Sequence, residues 1–177
     1  MRQLVVLSGG GFSMEKNRAL DRYFLAATGK ATPRICFVGT ASGDAESYRY
    51  KFYEAMSALD CRATHLSLIQ PPSADLGAFV FAQDVIFVGG GNTRSLLALW
   101  REWGLDAILR EAYERGIVLA RGRRRGRIGS NAGTSTCWRR RYHLICSIEL
   151  RPRAVLSQSA PKRTFSDPIG AKRTFRR

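Results

Sequence analysis

The sequence predicts an α/β fold in which a parallel sheet is covered by helices on both faces, a three-layer arrangement. Three observations predict it. Four short runs are apolar at every position, as strands buried on both faces require. Helical apolar stripes lie between runs, so strand and helix alternate along the chain. Three of the runs end in glycine or small residues, where a strand must turn sharply into a helix.

The first run is Leu4-Val5-Val6-Leu7, ending at Ser8-Gly9-Gly10-Gly11. Met14 to Ala27 then carries Ala19, Leu20, Tyr23, Phe24 and Ala27 at helical spacing. Pro33 and Gly39 bound the second run, Ile35-Cys36-Phe37-Val38, which leads into Gly39-Thr40-Ala41-Ser42-Gly43-Asp44. Ser47 to Leu59 places Tyr48, Phe52, Ala55, Met56 and Leu59 on one helix face, and Arg62-Ala63-Thr64-His65-Leu66-Ser67 is a weaker strand. The third run, Val85-Ile86-Phe87-Val88, precedes Gly89-Gly90-Gly91-Asn92-Thr93. Two helices follow: Thr93 to Trp103, with a stripe of Leu96, Leu97, Leu99, Trp100 and Trp103, and Leu105 to Arg115, with Ile108, Leu109 and Ala112. Gly116 stops the second, and Ile117-Val118-Leu119-Ala120 is the fourth run.

A chain of 177 residues suits one domain with a real core. No window approaches the roughly 18 apolar residues of a membrane helix, and the N-terminal run is too short for a signal-peptide core. The expected compartment is therefore the cytoplasm, with no membrane partner. Cys36, Cys61, Cys137 and Cys146 form no CxxC pair and are expected as free thiols. Neither a metal nor a cofactor is expected.

Charge divides the chain at Arg121. Residues 1–120 hold 13 Lys+Arg and 12 Asp+Glu, whereas residues 121–177 hold 16 Lys+Arg against only Glu149 and Asp167. Nearly all of the net charge of +15 therefore sits in the last third. The expected organisation is an α/β core over 1–120 and an arginine-rich divergent tail over 121–177.

The glycine turns let backbone N–H groups approach a ligand, and a following helix N-terminus favours negative charge, so an anion or oxyanion cradle is one reading. Tight strand-to-helix turns also need glycine for their own geometry, which is the other. None of the turns is GxGxxG or GxxxxGK[ST], so a nucleotide site has little support. Asn92 or Thr93 is expected to cap the following helix.

Val85 through Thr93 followed by Leu96-Leu97, the block Phe37 to Asp44, and the spacing from Gly89 through paired helices to Gly116–Ala120 together resemble the peptidase E (aspartyl dipeptidase) and cyanophycinase family of serine peptidases. The resemblance covers residues 1–120. It implies a fold like that of class I glutamine amidotransferases, with the C-terminal part here truncated or altered. It implies hydrolysis of dipeptides with an N-terminal aspartate through an acyl-serine, so the expected ligand is a small peptide. The matching positions for oxyanion-hole N–H groups are Gly90 and Gly91, and those bordering substrate are Asn92 and Thr93.

The family places a Gly-Xaa-Ser-Ala-Gly nucleophile turn just after the last matching strand. Here Ala120 is followed by Arg121-Gly122-Arg123-Arg124-Arg125-Gly126-Arg127-Ile128-Gly129. No catalytic residue can be assigned. Ser130, in Ser130-Asn131-Ala132-Gly133, comes several residues too late. His65 precedes the glycine loop and reads as an ordinary surface or core histidine, and His143 has no assignable role. A shift of reading frame near Ala120 is the expected cause of the change. Read one base earlier, CGN arginine codons become NCG (Ala, Ser, Pro or Thr), and GGN glycine codons become NGG. The stretch Arg121 to Asn131 can then read Ala-Gly-Ala-Ser-Ala-Gly-Ser-Asn-Trp-Phe-Glu, which contains the missing motif. The Lys-Arg-Thr-Phe repeated at 162–165 and 172–175 also suits unselected coding. Such a chain is expected to be inactive, and loss of strands at one sheet edge would favour aggregation or a homodimer.

Two other readings stand beside it. An arginine-rich tail binds polyanions non-specifically through counterion release, with Trp138, Tyr142, Phe165 or Phe175 free to stack on bases. That would make the chain an α/β module with a basic nucleic-acid-binding arm, although no zinc, RNP or recognition-helix pattern is present. The second is a small-ligand module that keeps the glycine loops without turnover.

Overall fold

In a computed structural model the described residues are 2–7, 11–12, 17–71, 75–122 and, as backbone, 154–156. The apolar runs become strands and the striped segments helices: β1 (Leu4–Leu7), α1 (Ala19–Ala26), β2 (Arg34–Val38), a 3-10 turn (Thr40–Ser42), α2 (Glu46–Met56), β3 (Arg62–Leu66), α3 (Leu76–Phe81), β4 (Val85–Val88), α4 (Thr93–Glu102), α5 (Leu105–Glu114), β5 (Val118–Gly122) and β6 (Ala154–Leu156). Among the described residues the strands form one sheet in the order β3-β2-β4-β5-β1-β6, and every pairing is parallel.

That order explains the layers. From β1 to β2 to β3 the chain moves toward one edge; from β3 to β4 to β5 it moves back. Right-handed crossovers in opposite directions place their helices on opposite faces. Accordingly, Val5, Leu7, Ile35, Phe37, Val85, Phe87, Val118 and Ala120 point toward α1 and α2, where they bury Phe24, Phe52 and Met56. The alternate residues Leu4, Cys36, Val38, Ile86, Val88 and Leu119 face α3, α4 and α5, around Val80, Trp100, Leu109 and Ala112. The fold is thus three-layered α/β, as the sequence predicts.

Three local features go beyond the sequence pattern. Helix α3 is only six residues long, begun by Asp75, whose Oδ1 accepts from the Ala78 N–H at 2.8 Å. Its apolar run gives too little periodicity to separate helix from strand. Strand β5 continues past Ala120 through Arg121 and Gly122, which pair with Val6 and Leu7. The charge boundary therefore falls inside a strand, and β6, from the same basic segment, pairs with β1. The apolar segment 142–150, Ser8–Gly10, Met14–Lys16, Arg123–Gly129, Ser130, His143, Cys137, Cys146 and the tail aromatics lie outside the described residues. Among the described residues no helix is long and apolar enough to cross a membrane.

Candidate functional site

The parallel sheet brings the C-terminal ends of β1, β2, β4 and β5 to one edge, the place where open α/β sheets bind ligands. In the register His65, Phe37, Phe87 and Ala120 form one row across β3, β2, β4 and β5. One residue further along, Val88 pairs with Arg121. The loop after β4 (Gly89–Asn92) and the end of β5 are therefore neighbours, although about thirty residues separate them.

The Gly89–Thr93 loop is packed against the turn after β2. The Gly89 N–H donates to the Val38 carbonyl at 2.9 Å, and the Asn92 N–H donates to the Ala41 carbonyl at 2.6 Å. At Gly91 φ is +155°, and a Cβ there would lie 2.5 Å from the Ala41 carbonyl carbon and nearer still to its oxygen. Only glycine allows that approach. Gly90 is buried, and its N–H is 3.5 Å from the Tyr48 hydroxyl oxygen; Gly91 is exposed. The Tyr48 ring is held by Phe12 and Phe37, at centroid distances of 5.5 and 5.0 Å.

Asn92 caps α4: its Oδ1 accepts from the Arg94 and Ser95 N–H groups at 3.0 and 3.3 Å. Thr93 is half-buried, and its Oγ1 lies 3.4 Å from an Arg121 guanidinium nitrogen. The four expected site residues are thus contiguous at the sheet's C-terminal edge, with Thr93 facing the end of β5.

Arg121 is 8% exposed, an uncommon setting for a guanidinium within a strand. Gly122, beside it, has no space for a side chain, since a Cβ would lie 2.8 Å from the Phe87 ring. On the β1 side Asp21 of α1 is fully buried, and its Oδ1 accepts from the Phe12 N–H at 3.1 Å. This contact ties α1 to the loop after β1. The acid escapes sequence reading because it occupies a polar slot in a helical pattern.

His65 is held away from this edge. An Arg49 guanidinium nitrogen is 3.2 Å from Nε2, and Tyr53 Oη is 2.7 Å from Nδ1. A guanidinium only donates, so Nε2 accepts and the ring proton sits on Nδ1, which donates to Tyr53. Burial, then the Arg49 charge, hold the imidazole below its ordinary pKa of 6.5, with Asp44 opposing. Three strand spacings of about 4.8 Å separate His65 from Ala120, or about 14 Å, far beyond the reach of a general base acting there. Cys36 is no nucleophile either, since burial pushes its thiol up to about 12 despite a hydrogen bond from Thr64. Among the described residues no cluster of His, Cys, Asp and Glu could hold a metal ion.

Known proteins resemble this chain in sequence and in fold. The chain matches the model of peptidase family S51 over residues 4–142, reaching past the motifs that end at Ala120. Over 139 residues it is 53% identical to the uncharacterised peptidase YgaJ of Bacillus subtilis (strain 168), a match covering 78% of this chain and 56% of that protein. The chain therefore spans little more than half the length of this relative. A crystal structure described as a peptidase E protein from Listeria monocytogenes EGD-e superposes with a TM-score of 0.55 at 19% identity, over 70% of this chain and 59% of that one, a likeness of fold. With a family match over most of its length and the same α/β architecture, the chain belongs to peptidase family S51, the peptidase E family.

Proposed function

We propose that this chain carries the substrate side of a serine-type aspartyl dipeptidase and that the segment supplying its nucleophile has been lost to a shift of reading frame, leaving it without turnover. The observation that carries the reading is the end of β5, where Arg121 and Gly122 lie beside the Gly89–Thr93 loop. In the offset frame position 121 can be alanine, position 122 can stay glycine and a serine can fall at position 124. That frame accommodates both local constraints. Alanine at 121 needs no polar partner in the sheet, and glycine at 122 is what the Phe87 ring demands. A serine two residues beyond the strand would stand clear of the sheet, next to the glycine loop.

The intended chemistry is attack of a serine oxygen on the aspartyl carbonyl, loss of the amine, then attack by water on the acyl-serine. Gly90 and Gly91 N–H groups would hold the oxyanion, a preorganised contact worth on the order of 3 kcal/mol in the transition state. Asn92 and Thr93 would border the dipeptide. This scheme uses no metal or cofactor, and it fits a cytoplasmic protein whose ligand is a small acidic peptide.

Two measurements test the reading. The nucleotide sequence across codons 118–135 must yield Ser-Ala-Gly in the offset frame; an early stop or a different string refutes the shift. An activated aspartyl ester should give no burst of released product from this chain, and a burst would locate a nucleophile after all and point to Ser130.

A further inference from the structure

We infer that Asp44 is a positioning residue for the glycine loop: it locks the turn after β2 in the shape that receives Gly91 and accepts the Asn92 N–H. Asp44 has φ +53°, the one positive φ among the described non-glycine residues. Aspartate tolerates the left-handed region better than most side chains, yet still with strain. Two contacts hold it there. Its N–H donates to the Gly39 carbonyl at 3.2 Å, the same oxygen that accepts the Ser42 N–H at 2.9 Å and the Ser42 hydroxyl at 2.8 Å. Its carboxylate accepts the Ser67 hydroxyl at 2.8 Å.

Ser67 is itself fixed. It is buried, and its oxygen accepts from the Ile69 and Gln70 N–H groups at 3.2 and 3.3 Å, just past the end of β3. The turn after β2 is thus fastened from the β3 side through one charge-assisted hydrogen bond. The opposite side of the turn is the surface against which Gly91 and Asn92 pack. Without the carboxylate, the left-handed residue loses its tie to β3, and the Ala41 carbonyl loses its fixed position. Asp44 thereby sets the orientation of the Gly90 and Gly91 N–H groups without lying in the Gly89–Thr93 loop itself. The consequence for ligand binding rests on the site reading proposed above; the positioning itself does not.

Amide hydrogen exchange by NMR on the full chain tests this, with Asp44→Asn, Asp44→Gly and Ser67→Ala. Asparagine tolerates the left-handed conformation and still accepts the Ser67 hydroxyl, so Asn92 should keep its protection. Glycine removes the strain together with the carboxylate, and Asn92 should exchange about tenfold faster or more. Ser67→Ala should act in the same direction. The Phe37 and Phe87 amides, in β2 and β4, should exchange as in the unaltered chain. Unchanged Asn92 protection in Asp44→Gly and Ser67→Ala overturns the proposal, as does acceleration shared equally by the two strand amides. In a second arm the dipeptide Asp-Ala is titrated into the same samples and the Gly90 and Gly91 signals are followed. Shifts in the unaltered chain that are lost in Asp44→Gly support both readings. An unaltered chain that shows no shifts refutes the site reading, and Asp44 is then decided by exchange alone.

Discussion

Gly91→Ala isolates the contact on which the candidate site is built. Non-bonded carbon and oxygen normally stay about 3.3 Å apart. A Cβ on Gly91 would lie 2.5 Å from the Ala41 carbonyl carbon, nearer still to the oxygen, and 2.9 Å from Ser42 N. The loop and the turn after β2 must therefore separate by about an ångström or more, which breaks the 2.6 Å bond from Asn92 to Ala41. Strain at φ +155° adds about 2 kcal/mol and the lost hydrogen bond about 1 kcal/mol, so destabilisation near 3 kcal/mol is expected. Gly104→Ala is the matched control: φ is +64°, but nothing lies within 4 Å of the added carbon. Conformational strain alone predicts about 1 kcal/mol there. With a urea slope of about 1.5 kcal/mol per M, the midpoints should fall by about 2 M for Gly91→Ala and by less than 1 M for Gly104→Ala. Equal shifts would show that the loop does not bear on the turn as described.

Two further outcomes follow from the site's surroundings. Asn92→Ala removes the acceptor for two N–H groups of α4 and should destabilise by about 1 kcal/mol in urea, whereas Asn92→Asp should be neutral or slightly stabilising, since an acid suits a helix N-terminus. His65 has a folded pKa below 6.5, so the stability its neutral form contributes is complete above pH 6.5 and declines as pH falls through the folded value. The urea midpoint should therefore drop on acidification below pH 6.5, and the drop should shrink in His65→Gln; an identical profile in the variant would rule out His65 as the titrating group.

The elements were legible because their chemistry is local. Val85 to Val88 can be little but a strand buried on both faces, and the Leu96, Leu97, Trp100 stripe little but a helix against it. Asn92 was legible as a cap for the same reason, and the family was legible in the glycine loop and the blocks around it. Asp44, Ser67 and Asp21 were not, because each is an ordinary polar residue in sequence and becomes informative only through a partner more than eight positions away. Which helices share a face was hidden, although helices on both faces were expected, since it depends on the order of strands in the sheet rather than on any segment.

What the sequence determined alone was the set of elements, the glycine turns between them, and the abrupt change at Arg121, all of which depend on neighbouring residues in the chain. Only the tertiary structure decided that Arg121 and Gly122 belong to β5 and that this strand ends beside the Gly89–Thr93 loop. It also decided that His65 stands three strands away from that end. The physical reason is that parallel pairing sets distances across the sheet through hydrogen bonds between segments remote in sequence, and local periodicity carries no information about which strand lies next to which.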